Sequence, residues 1–316
     1  MGIYKVPVSI ILPCYNEEKS LEKVIKDIRE NIGSYEYEIF VIDNNSTDKS
    51  IDIAIKNDCK VIEEKKQGKG NAIRRAFQDI DSQAYFMIDS DDTYGVKDIN
   101  KAIDLVLVDK YDMVIGDRLS TDYFSENKRA FHNFGNNLVK VGINKMFNGN
   151  ISDILTGYRC FSRRFVKTFP IMSDGFQIET EMTIHLLNNS YRYVCIPVRY
   201  KDRDKDNPSK LNTYTDGIKV IHMLIRMFKI YKPKKYFDIV GIILGIISTA
   251  FITPVLIDYF NMGTVERFPT LIVCGFVYLM AILNVCMGVM LESRQDTDKK
   301  EMELRIINET RKEIGE

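Results

Sequence analysis

This sequence has no excess of either positive or negative charge. Over 316 residues, Lys+Arg 44 and Asp+Glu 44 leave a formal net charge of +0. The basic excess of a nucleic-acid binder is absent, and so is the acidic excess of a disordered chain. No nucleic-acid partner is expected. Histidine is scarce too: the three are His132, His185 and His222. The six cysteines (Cys14, Cys59, Cys160, Cys195, Cys274 and Cys286) form no CxxC pair, and no histidine neighbours one at zinc-ligand spacing. They read as reduced, mostly buried thiols in a cytosolic or membrane setting. The N-terminus MGIYKVPVSIILP lacks the basic, long apolar and small-residue regions of a signal peptide, so none is expected. Gly2 follows Met1, but Val6 stands where myristoylation requires Ser or Thr.

What is present falls into two regimes. The chain is 45% hydrophobic, enough for a domain of roughly 200 residues and an appendage. Up to about Lys235, short apolar runs alternate with amphipathic stretches. VSIIL (8–12), YEIFVID ending at Asp43, KVI (60–62), AYFMID ending at Asp89 and DMVIG ending at Gly116 read as strands. Between them, Leu21, Val24, Ile25 and Ile28 fall on one helical face over 17–28. The Ser46-Thr47-Asp48 cluster is placed to cap a second helix. Gly68 and Gly70 precede a third helix through Phe77, and a fourth spans about 96–108. The alternation predicts an α/β fold with a mostly parallel sheet covered by helices on both faces. Ligands of such sheets bind beyond the carboxyl ends of the strands. Asn16-Glu17, Asp43, Asp89–Asp91 and Asp117-Arg118 sit at those ends.

The second regime carries two long apolar runs, 239–257 and 268–291, joined by the short polar link 258–267. Each is long enough to span a bilayer. Two buried core helices are the competing reading. Lys229, Lys232, Lys234 and Lys235 precede the first run and place that side in the cytoplasm, so both termini are expected there. The segment 213–235, with Ile218, Ile221, Leu224, Ile225 and Phe228 among Lys219, Arg226 and Lys229, reads either as a helix lying on the membrane surface or as a core helix of the soluble part. The expected organisation is a soluble domain over 1–212, the interfacial region over 213–235, a hairpin over 236–292 and a charged cytoplasmic tail over 293–316. Gly241, Gly245 and Ser248 are small enough to let two hairpins associate as a homo-oligomer.

The strongest chemical signal is MIDSDDTY. In an extended chain Asp89 and Asp91 point to one side, so both carboxylates can converge on one Mg²⁺ or Mn²⁺, with Thr93 adding an oxygen. Such an ion offsets charge on a departing pyrophosphate. An acidic turn capping the next helix is the plainer alternative.

SIILPCYNEEKSLEKVI, VIDNNSTDKS, GKGNAIRRAF and MIDSDDTY together resemble family 2 glycosyltransferases of the GT-A fold. That resemblance implies a nucleotide-sugar donor held by Pro13, Tyr15, Glu17, Asp43, Lys69, Asp89 and Ser90. MVIGDRL, KRAFHNFGNN, DILTGYRCF, GFQIETEM and YKDRDKDNPSKLNTYTDG carry the resemblance through residues 6–217, toward the polyprenyl-phosphate sugar synthases. It implies a polyprenyl phosphate acceptor, undecaprenyl or dolichyl, gripped by Arg118, Arg129, Asn133, Ser209 and Lys210. Asp91, Arg118, Arg129 and Arg203 form the implied catalytic set. Asp153, Glu179 and Glu181 are candidate contacts to sugar hydroxyls; the two glutamates also suit the first turns of a helix. The sequence departs from the family at Cys195, where a Glu often precedes the proline, and at Thr93, where some relatives carry Gln. The DSDDTY form points toward UDP-sugars over GDP-mannose. Processive relatives carry QxxRW, which a chain with Trp 0 cannot contain. A transferase with a non-lipid acceptor and a non-catalytic membrane scaffold of glycan export are the remaining rivals.

Overall fold

A computed structural model of the chain describes residues 4–118, 130–173, 175, 177–201 and 224–314, with side chains from 137 to 312 in the later part. The chain divides into two units, Met1–Gly217 with Leu304–Glu316, and Ile218–Glu303.

The first unit is built on a seven-stranded sheet. Its strands are β2 (Val8–Cys14), β3 (Tyr37–Asp43), β4 (Lys60–Glu63), β6 (Ala84–Met87), β7 (Met113–Asp117), β8 (Arg159–Ser162) and β9 (Tyr193–Pro197), in the order β4-β3-β2-β6-β8-β7-β9. All neighbours are parallel except β8, which runs antiparallel between β6 and β7. A separate two-stranded pair joins β1 (Tyr4–Lys5) to β5 (Ile80–Asp81). The sheet is therefore the mostly parallel α/β sheet expected. Its inner strands are buried along almost their whole length because helices cover both faces.

The first helix begins at Leu21, not at Glu17, and buries Leu21, Val24, Ile25 and Ile28. The reason lies in the preceding residues, whose backbone is engaged elsewhere. Glu17 N–H donates to Ser50 Oγ at 2.9 Å and Glu18 N–H to Asp48 Oδ2 at 3.0 Å. Asp48 thus links two strand-end loops, and its Oδ1 also accepts the N–H of Ser50 at 2.9 Å at the start of the second helix, Ser50–Lys56, as the cluster's capping role predicts. The third helix, Lys69–Asp79, starts one residue before Gly70. Gly68 precedes it with φ 131, a left-handed conformation that suits glycine.

The helix Ile178–Asn188 packs the half-buried His185 against the rings of Phe165, Phe169 and Tyr191, at centroid distances of 5.4, 5.1 and 5.6 Å. Its Nε2 is buried and has no hydrogen-bond partner among the described residues. Burial lowers its pKa from 6.5 to about 4. The imidazole is thus neutral when folded and binds a proton more readily when unfolded. This stability is complete above pH 6.5 and is lost as pH falls through about 4, a loss of about 3 kcal/mol. Thermal unfolding of His185→Leu should lack this part of the acid dependence. An unchanged slope between pH 6.5 and 4 would exclude His185 as its source.

The second unit contains most of two helices, Pro233–Met262 and Phe268–Ile314, both long and apolar enough to cross a membrane. Residues 224–231 are also helical. Gly263 ends the first long helix in a left-handed conformation. Ile242, Ile246, Phe251, Phe276 and Met290 point outward, as bilayer-facing side chains do. Small residues face inward between the two helices. A Cβ on Gly241 would stand 3.0 Å from Ala281 O, and Ser248 Oγ donates to Cys274 O at 2.8 Å. Of the three residues expected to join hairpins, Gly241 and Ser248 are therefore engaged inside one hairpin, and Gly245 has nothing within 4 Å. The second helix continues without a break through the charged segment. Within the first unit, its Glu309 pairs with Arg163 at 2.9 Å.

Candidate active site

The polar residues that end the parallel strands meet at one edge of the sheet. Cys14 pairs with Asp43 across β2 and β3, so the Pro13–Glu17 segment and Asp43 emerge side by side. Asn16 and Asn45 adopt left-handed backbone at φ 56 and 65, which turns both loops sharply. Asp43 is buried and receives Ser46 N–H at 3.4 and 3.3 Å. Glu17 Oε2 accepts from Ser20 Oγ at 3.0 Å, while Tyr15 is exposed. Ser90 ties the Asp89–Asp91 turn to this edge, donating its hydroxyl to Pro13 O at 2.8 Å and receiving Ser20 Oγ on its carbonyl at 2.8 Å.

Asn44, inside VIDNNSTDKS but not among the expected site residues, ties the loop after β3 to the segment after β4. Its amide donates to Glu64 O and Lys66 O, both at 2.8 Å, and its Oδ1 accepts from Gly68 N–H at 2.6 Å. A buried polar residue directly after a strand-end Asp is the signal that would have found it.

Asp89 and Asp91 follow β6. Asp91 Oδ1 accepts from Thr93 N–H at 3.2 Å and Thr93 Oγ1 at 2.6 Å. Thr93 is buried, and its hydroxyl is directed at Asp91, so it orients that carboxylate. Asp89 Oδ1 is held by Lys69 Nζ at 2.6 Å, and the same ammonium contacts Glu179 Oε1 at 2.6 Å. The fold thus brings Lys69 onto the first acidic residue of the pair and joins it to Glu179. Burial opposes the charge on Lys69, but the Asp89 and Glu179 carboxylates outweigh it and raise its pKa.

Glu179 and Glu181 separate. Two residues apart on a helix, they point to different sides. Glu179 turns inward to Lys69, and its Oε2 is buried without a hydrogen-bond partner among the described residues. Glu181 instead accepts backbone N–H from Met172 at 2.8 Å and Ser173 at 2.9 Å. Its observed role is to fold that loop.

Arg118 follows β7 and forms a two-point pair with Asp153, Nε to Oδ2 at 2.7 Å and Nη2 to Oδ1 at 3.0 Å. Its guanidinium also lies 5.2 Å from the Tyr200 ring and 5.9 Å from the Tyr94 ring. Tyr94 and Tyr200 are joined by an antiparallel bridge, which draws the end of the described segment toward the Asp91 turn. Arg129, Arg203, Ser209 and Lys210, and the side chain of Asn133, lie outside the described residues.

Gly157 backs the acidic pair. A Cβ there would overlap the Asp89 carboxylate. Gly157→Ala is expected to cost about 2 kcal/mol through overpacking. By displacing Asp89 it should slow any reaction at this site about 30-fold. Melting and turnover measured on one preparation check both, and a variant matching wild type in turnover would remove Asp89 from the working site.

Among the described residues, no three or more His, Cys, Asp or Glu side chains form a metal cage. The donor set does fit a phosphate-sharing cation: Mg²⁺ bound through one or two carboxylates takes its remaining ligands from water and substrate phosphates. Asp89 and Asp91 supply that pair of hard oxygen donors at one strand end.

The family model for glycosyl transferase family 2 matches residues 9–169. Glycosyltransferase AglJ of Haloferax volcanii is 32% identical over 235 residues, covering 74% of this chain and 76% of that protein. A dolichyl-phosphate hexose transferase of the same organism is 26% identical over 220 residues, covering 70% and 93%. Among solved structures, glucosyl-3-phosphoglycerate synthase of Mycobacterium tuberculosis with UDP aligns at a TM-score of 0.55 and 20% identity, over 70% of this chain and 79% of that one. That likeness establishes the GT-A type of fold. With the matched segment spanning β2 through β8 and the acidic pair at its centre, the chain belongs to glycosyl transferase family 2.

Proposed function

We propose that this protein is an inverting hexosyltransferase that moves a sugar from a nucleoside diphosphate donor to a polyprenyl phosphate at the cytoplasmic face of a membrane. The observation that carries the reading is one chain holding both parts: the Asp89–Asp91 strand-end site and two helices able to cross a bilayer. The relatives support it. One is named a dolichyl-phosphate hexose transferase, and another is named a dolichol-phosphate mannosyltransferase, from Pyrococcus furiosus. The solved synthase was also captured with Mn²⁺, UDP and glucosyl-3-phosphoglycerate. UDP-sugars are the favoured donors and GDP-mannose the second candidate.

Asp89 and Asp91 would hold Mg²⁺ or Mn²⁺, which when bound offsets charge on the diphosphate. The chain's own residues do the rest. Pro13, Tyr15, Glu17, Asp43 and Ser90 receive the nucleoside. Of the candidate sugar contacts Asp153, Glu179 and Glu181, Glu179, whose Oε2 is buried with no hydrogen-bond partner among the described residues, is the one whose geometry suits a sugar hydroxyl. Arg118, Arg129 and Asn133, with Arg203, Ser209 and Lys210, serve the acceptor phosphate. An acceptor phosphate oxygen attacks the anomeric carbon as the nucleoside diphosphate leaves from the opposite face. A phosphate monoester is already ionised near neutrality, so no general base is needed. Positioning and charge compensation supply the rate. The basic residues before the first long helix orient the soluble domain and both termini to the cytoplasm.

The test is transfer from radiolabelled UDP- and GDP-sugars into organic-extractable lipid, with Mn²⁺ or Mg²⁺ and added polyprenyl phosphate. Metal-dependent lipid label from one donor is expected. Nucleotide binding without lipid label would overturn the lipid acceptor, and no nucleotide binding would favour a scaffold.

A further inference from the structure

Among the described residues, the largest fully buried side chain is a charged one, Arg159 of β8. No sequence motif singled it out for chemistry. Its guanidinium meets no carboxylate at ion-pair distance among the described residues. Nε donates to Thr156 O at 3.1 Å, Nη2 to Ile154 O at 2.6 Å and to Thr183 Oγ1 at 3.0 Å, and Nη1 reaches Met113 Sδ at 3.2 Å. A buried cation without a direct counter-ion is costly unless charge nearby compensates it. Burial lowers its pKa to about 10, and the fields of Glu179 and Asp153 act in the opposite direction.

Those partners define what Arg159 does. Ile154 and Thr156 belong to the loop that carries Asp153 and Gly157. Thr183 stands one turn beyond Glu179 on the same helix and donates its hydroxyl to Glu179 O at 2.9 Å. One guanidinium therefore fixes the loop that aims Arg118 and backs Asp89 to the helix that presents Glu179. Lys69 is shared by Asp89 and Glu179, and Arg118 is paired with Asp153, so Arg159 adds a further fixed cation whose field reaches Glu179 and Asp153.

We propose that Arg159 is a positioning residue for the transfer reaction, a buried guanidinium that clamps the Asp153 loop to the Glu179 helix and compensates both carboxylates. In its catalytic part this rests on the function proposed above; the charge-compensation part does not. The nucleoside-side loops at Pro13, Asp43 and Asn44 make no hydrogen bond to Arg159, so nucleotide binding should survive when the clamp is loosened.

The experiment uses the full-length protein in detergent and three variants, Arg159→Lys, Arg159→Met and Arg159→Met with Glu179→Gln. UDP and GDP with Mn²⁺ are the binding probes, and transfer and melting temperature are measured alongside. Arg159→Lys keeps the charge but not the fork. It should transfer roughly 100-fold more slowly with nucleotide affinity within about threefold of wild type. Arg159→Met should melt about 10 °C lower, and adding Glu179→Gln should recover at least half of that loss by removing the negative charge that Lys69, shared with Asp89, does not offset. Wild-type turnover in Arg159→Lys would overturn the proposal. So would turnover and nucleotide affinity falling by one common factor, or a Glu179→Gln change that lowers the melting temperature further. If the wild type transfers nothing from any donor, the proposed function fails, while the melting comparison still decides whether Arg159 compensates Glu179.

Discussion

Replacing Asp91 by alanine is expected to reduce sugar transfer about 10³-fold or more, while the protein stays folded and membrane-bound. Asp91 follows the buried strand β6 but is itself only partly buried. Its Oδ1 accepts two local hydrogen bonds, from the N–H and the hydroxyl of Thr93. Losing them costs about 1–2 kcal/mol, too little to unfold a domain with so extensive a core. What alanine cannot replace is an anionic oxygen donor at the strand end, where diphosphate charge must be met. Asp91→Asn separates charge from shape: it keeps an oxygen that Thr93 can contact and should lose nearly as much activity. The assay is lipid-extractable label, with melting temperature as the control for folding. Transfer within tenfold of wild type in Asp91→Ala would overturn the assignment of the acidic pair.

The arrangement around that pair explains why the site needs several cations. Asp89 and Glu179 share Lys69, and Asp153 is matched to Arg118. Asp89, Glu179 and Asp153 are thereby each matched to a fixed positive group. Preorganised groups of this kind need no reorganisation when charge shifts during reaction, which is where electrostatic catalysis gains most.

Much of this was readable from the sequence, for identifiable reasons. Strands β2, β3 and β6 are apolar runs with polar residues at their ends, because strands buried on both faces must be apolar and strand ends must bind the ligand. The acidic pair was visible because neighbouring strand residues act locally. Strand β8 escaped notice because RCFS carries a charge where the sheet is fully buried, and the atoms that satisfy Arg159 come from residues 154, 156 and 183. Lys69 was expected near the base and ribose, and its pairing with Asp89 and Glu179 depends on two elements that lie far apart in sequence. The helix start at Leu21 was displaced for the same kind of reason, since partners at Asp48 and Ser50 compete for the preceding backbone. Local pattern specifies elements; nonlocal hydrogen bonds to buried polar groups decide which side chains meet.

The second large effect is expected at Arg118. Arg118→Ala should lower kcat/KM for the lipid acceptor about 10³-fold, while nucleotide affinity changes by about threefold or less. Asp153 fixes both edges of the guanidinium's pairing, and the Tyr94 and Tyr200 rings lie beside it, so the group is held in place before substrate arrives. Burial opposes the charge, but Tyr94 and Asp153 raise its pKa, so the cation persists at any working pH. Alanine also leaves the buried Asp153 carboxylate without its partner, a loss of about 3 kcal/mol in stability, and this must be separated from the kinetic effect. Arg118→Lys does so. It retains a positive charge for Asp153 but offers no planar fork, so melting should stay near wild type while acceptor kcat/KM still falls about 100-fold. Acceptor titration at saturating donor, together with donor titration at saturating acceptor, reads the split. Equal losses along both axes would assign Arg118 to general support of the fold, and an unchanged acceptor response in Arg118→Lys would remove its guanidinium from phosphate recognition.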